Sequence, residues 1–142
     1  MLVMLSALLA LVPATGLSAH SAREHPAACA VLEIGSDQAP HAYRLFRATR
    51  ILELEFEAQV LHPGKHDHAL QLRLYTPDGF LYQVLETRVG AAGASRRRYR
   101  ARLPVAGTSI MASGLYGRWR VVPHADGARE PCGRGRSFVI RP

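Results

Sequence analysis

Four residues in one short stretch carry the chemistry of metal binding: His62, His66, Asp67 and His68. Neutral imidazole and carboxylate suit Cu(II) or Zn(II), and Pro63-Gly64 supplies a turn that lets the imidazoles converge. His20 joins them if the chain is cut after Ala19, because a terminal histidine chelates copper through its amine and imidazole together. Cys29 and Cys132 are the two cysteines. In an exported protein an even pair reads as a disulfide. The alternative for Cys29 is acylation, as in lipoproteins, although Pro26-Ala27-Ala28 lies far beyond the apolar leader and lacks the expected Leu. A third constellation is electrostatic: Glu53, Glu55 and Glu57 alternate along one segment, and Arg98, Arg100 and Arg102 along another.

Catalytic signatures are missing from the sequence. There is no Gly-x-Ser-x-Gly elbow, phosphate loop or dinucleotide fingerprint. The three glutamates share a face at close spacing, but that face is expected to be an open surface rather than a cleft. The sequence therefore predicts a non-enzyme without a cofactor, Cu or Zn being the alternative.

The elements that must position these residues follow an apolar leader. Met1 to Val12 is apolar and ends at Pro13, too short to span a bilayer but suited to a secretory h-region, although no Lys or Arg precedes it. Residues 1–19 are expected to be a signal peptide, 20–28 a flexible segment and 29–142 the domain. The alternative is a buried N-terminal helix. The expected destination is the periplasm or the exterior, with no transmembrane segment in the mature chain. The formal charge of +7 resides in the mature part, since residues 1–19 carry no ionisable side chain. Such an excess suits anionic glycans, other envelope components or a protein partner; export argues against nucleic acid.

Period-two alternation dominates the rest. From Ile51 to Val60, Leu52, Leu54, Phe56, Ala58 and Val60 face one way, with Glu53, Glu55, Glu57 and Gln59 opposite. That is a strand with one buried and one wet face. Further strands are expected at Ala30–Gly35, Ala69–Tyr75, Phe80–Val89, Arg96–Val105, Arg118–Pro123 and around Phe138 and Ile140, with Cys132 opening the last. Tyr43–Phe46 is either an edge piece or the start of the second strand. Thr76-Pro77-Asp78-Gly79 is a hairpin turn. Seven short strands without crossover helices predict an all-β, Greek-key sandwich.

The closing residues resemble bacterial immunoglobulin-like and fibronectin type III-like domains: Gly117-Arg118-Trp119-Arg120-Val121 after Leu115, then Asp126-Gly127, then Phe138-Val139-Ile140. Trp119 stands where many of those domains have Tyr. The resemblance covers about residues 30–141 and implies an immunoglobulin-like sandwich acting as an adhesin, chaperone module, spacer or appendage. It also implies that strands 51–60 and 96–105 are antiparallel neighbours, setting the Glu and Arg rows side by side as a charge ladder. A His20 terminus would be similar to that of copper-carrying sandwich proteins of the CopC type and of copper oxygenases.

Overall fold

The computed structural model describes residues 27–38, 44–61, 67–89 and 96–142. The signal segment, His20, His62 and His66 lie outside the described residues. Alternating apolar residues build β1 (Ala28–Ser36), β2 (Leu45–Arg47), β3 (Glu53–Leu61), β4 (His68–Tyr75), β5 (Leu81–Val89), β6 (Arg96–Pro104), β7 (Gly117–Ala125) and β8 (Arg136–Arg141). Two packed sheets result, ordered β1-β3-β6 and β2-β8-β7-β4-β5. The chain changes sheet at every connection except those between β4 and β5 and between β7 and β8, which is Greek-key connectivity.

Among the described residues there are eight strands rather than the seven expected. The addition is β2, a separate piece that runs parallel to β8 with Phe46 opposite Ile140. It is not the start of β3, which lies in the other sheet. A three-residue strand with one buried side chain has no alternation to betray it. Leu52 also departs from expectation. It precedes β3, is 66 % exposed, and lends its carbonyl to the Val105 and Ala106 amides. The wet face of β3 is not uniformly wet either, since Glu57 and Gln59 are buried at 7 % and 8 %. β3 is the central strand of its sheet, so neighbours on both sides cover it. β1 opens at Ala28, just ahead of the domain start expected at residue 29.

The core is the seam between the sheets. Leu54, Phe56 and Val60 of β3 meet Leu70 and Leu74 of β4, Trp119 of β7, and Phe138 and Ile140 of β8, all fully buried. A short helix, α1 (Ser109–Ala112), plugs one end with Ile110. Thr108 caps it, its hydroxyl oxygen accepting from the Ile110 amide. The β7–β8 connection begins with a turn in which Asp126 and Gly127 both adopt positive φ, and the Ala128 amide returns to the Ala125 carbonyl at 3.0 Å.

Candidate functional site

The disulfide joins Cys29 of β1 to Cys132, with Cα atoms 5.2 Å apart. Cys132 does not open the last strand; it lies in the connection ahead of β8. Two backbone hydrogen bonds hold it there. The Cys132 amide donates to the Pro123 carbonyl of β7 at 3.0 Å, and the Cys29 amide donates to the Cys132 carbonyl at 2.9 Å. The connection thus runs as a hydrogen-bonded strap from β7 to β1, and the disulfide locks one sheet to the other. Gly133 is required beside it, because a Cβ there would overlap the Cys29 carbonyl oxygen.

The two charged rows meet on the outer face of the three-stranded sheet. β3 and β6 pair antiparallel, with Glu55 opposite Arg102 and Glu57 opposite Arg100. Arg98 donates to Glu57 at 3.0 Å, and Arg100 reaches Glu55 and Glu57 at 3.5 and 3.6 Å. Arg102 reaches Glu53 and Glu55 at 3.2 and 3.5 Å. Each glutamate of the row therefore touches a guanidinium. Beside the ladder lies an open cleft of about 260 Å³, into which Glu33 and Asp37 bring further carboxylates. Gly35, opposite Glu55, leaves room for it. Asp37 accepts from the Leu52 and Glu53 amides. Burial opposes its ionisation, but these bonds and that from Gln38 hold its carboxyl below the usual value.

The arginines are exposed and Glu57 is not, so the pair Arg98–Glu57 should couple by about 0.5–1 kcal/mol. A double-mutant cycle on Glu57→Gln and Arg98→Gln checks this, and the coupling should shrink in high salt. Coupling indistinguishable from zero would reduce the ladder to a coincidence of register.

Of the metal candidates, Asp67 and His68 are described, Asp67 being exposed just ahead of β4. His68 Nδ1 lies 2.8 Å from Asp126 Oδ2, while Asp126 Oδ1 accepts from the Ala69 amide at 2.9 Å. Among the described residues no three His, Cys, Asp or Glu side chains gather as a metal-holding group. Burial raises the Asp126 pKa, but the bonds from His68 and Ala69 and the imidazole charge outweigh it and leave the carboxyl below its usual value. The sign follows: the stabilisation is present above the unfolded carboxyl value and is lost as pH falls through the lower, folded one. Asp126→Asn keeps a side chain tolerant of the positive φ and removes the charge. Its stability deficit relative to wild type should be present at pH 6 and vanish in strong acid, as read from urea midpoints. A deficit independent of pH would assign the loss to geometry instead.

No protein-family model matches the chain, and no curated protein matches it. Sequence reasoning missed Glu33 and Asp37, which only the β1–β3 register brings to the ladder. It also left unassembled Arg47, Arg73, Arg118, Arg120 and Arg141 on the other sheet. Alternation alone marks Arg118 and Arg120 as outward neighbours of Trp119; the register that gathers the rest is long-range.

Proposed function

We propose that this chain is an exported, non-catalytic binding or spacer module of the immunoglobulin-like class, working in the periplasm or outside the cell. The observation that carries the reading is the Cys29–Cys132 disulfide, a bond that persists in oxidising compartments. The apolar leader supports the same destination. The strand order β1-β3-β6 against β8-β7-β4-β5 supports the immunoglobulin-like class. So does Trp119, whose indole N–H donates to the Leu115 carbonyl four residues upstream, where a tyrosine corner would use its hydroxyl. Non-catalytic action is supported by the carboxylates of the β3 face, which are committed to guanidiniums rather than poised for proton transfer. Among the described residues no helix is long and apolar enough to cross a membrane.

The test is N-terminal sequencing of the protein recovered from the periplasm or the medium. A mature terminus at or near His20 is expected. Full-length protein retained in the cytoplasm would overturn the reading.

A second reading, a periplasmic copper or zinc protein, is favoured by one contact. Metal-bound imidazoles are commonly oriented by a carboxylate on the other ring nitrogen, and Asp126 meets His68 in that manner. Calorimetric titration with Cu(II) and Zn(II), repeated on His66→Ala, decides it. Unchanged heats end this alternative.

A further inference from the structure

The two outer faces of the sandwich treat charge in opposite ways. On the three-stranded sheet, register sets Glu against Arg. On the five-stranded sheet it sets arginine beside arginine. Inward residues there include Phe46, Leu72, Leu74, Trp119, Phe138 and Ile140, so alternation turns Arg47, Arg73, Arg118, Arg120 and Arg141 outward. Arg47 lies opposite Arg141, Arg118 opposite Val139, and Tyr75 opposite Arg120. From Arg47 through Arg141, Arg118 and Arg120 to Arg73, the cations form an oblique band crossing four strands. Successive members are sheet neighbours or sit about 7–8 Å apart.

None of the five guanidiniums forms an ion pair with a described residue. Glu86 is the acidic residue on the described strands of this face, and it accepts from Gln71 at 2.9 Å. Like charges placed opposite one another destabilise a sheet. The arrangement therefore has an electrostatic cost that a polyanion would relieve. The Arg120 guanidinium sits 5.1 Å from the centre of the Tyr75 ring, and Arg73 bonds to Gln71 and to the Ala128 carbonyl. Both are partly ordered before any ligand arrives, which lowers the entropy lost on binding.

We propose that this face binds a linear anionic polysaccharide. The identification of the ligand as a glycan rests on the export reading above, which sets nucleic acid aside. A row of closely spaced cations on one sheet face matches a polymer with repeated carboxylate or sulfate groups, and guanidinium pairs with such groups through parallel hydrogen bonds. Tyr75 and Val139, both half-buried, offer flat apolar contact to sugar rings between the charges, and Leu45 extends that contact beside Val139. A lipid surface would call for a large apolar side chain standing clear of the band. The exposed apolar side chains of this face are instead split between its two edges, Leu45 at 46 % on β2 and Leu81 at 53 % and Val84 at 40 % on β5, while Phe80, at 72 %, sits on the β4–β5 connection.

The experiment uses the oxidised protein and two probes, polygalacturonate and heparin oligosaccharides, titrated between about 50 and 200 mM salt. Neutral dextran, a DNA duplex and phosphatidylglycerol vesicles are the comparison ligands. The triple variant Arg47→Gln, Arg118→Gln, Arg141→Gln should weaken glycan binding at least about tenfold and flatten the log–log salt dependence by roughly two units. The charge-matched variant Arg98→Gln, Arg100→Gln, Arg102→Gln should leave affinity within about threefold. Should either variant unfold, amide shifts of the wild type on titration must map to β2, β7 and β8. Preference for polygalacturonate assigns carboxylate as the recognised group, and preference for heparin assigns sulfate. Equal weakening by both triples, shifts on the β3–β6 face, no binding of either glycan, or tighter binding of DNA or vesicles would overturn the proposal. N-terminal sequencing reports separately on export, so a chain that binds glycans but stays in the cytoplasm fails that reading alone.

Discussion

Replacing both bridging cysteines, Cys29→Ala with Cys132→Ala, lowers the stability of the domain by about 3–5 kcal/mol. The bridge closes a loop across a sequence separation of 103 residues, so cutting it returns to the unfolded chain the entropy that the loop withholds. It also fixes the strap that carries the Cys132 amide to Pro123 and its carbonyl to Cys29. Guanidinium unfolding of the variant, compared with wild type with and without reductant, provides the measurement. The variant and the reduced wild type should coincide, and the denaturant slope of both should rise as the unfolded state expands. A loss below about 1 kcal/mol would mean that the strap holds without its covalent bond.

Trp119→Ala should cost a similar amount, about 3–5 kcal/mol. The indole is fully buried at the centre of the seam. Tyr82 meets it edge-on at 5.2 Å, and Phe138 stacks at 6.2 Å. Its Nε1–H donates to the Leu115 carbonyl at 2.9 Å, tying β7 to the segment after α1. Trp119→Phe keeps much of the apolar contact and removes that donor, so its cost should fall to about 1–3 kcal/mol. Thermal melts of both variants check the order. Equal losses would show that the apolar contact kept by Phe contributes nothing measurable.

How much of this was legible depended on whether the signal was local. β3 and β4 stood out because apolar and polar residues alternate in each. The Thr76–Gly79 turn was legible from its Pro77 and Gly79, and Gly79 takes the positive φ that the turn requires. β2 was not, since its three residues pair in parallel with the last strand of the chain. α1 is a single capped turn, too short for a helical period. At the site, the Glu and Arg rows were legible as rows because each lies on one strand. The arginine band spans β2, β8, β7 and β4, and its assembly depends on registers that no local pattern contains. The burial of Glu57 has the same origin, as it follows from the central place of β3.

The central claim, an exported domain closed by one disulfide, is tested most directly by the intact mass of the exported protein, alkylated before and after reduction. The predicted result is a chain without its leader that takes up no alkyl group until reduced, and then takes up two, at Cys29 and Cys132. An alkylated cysteine in the unreduced sample, or a lipid mass on Cys29, would contradict it.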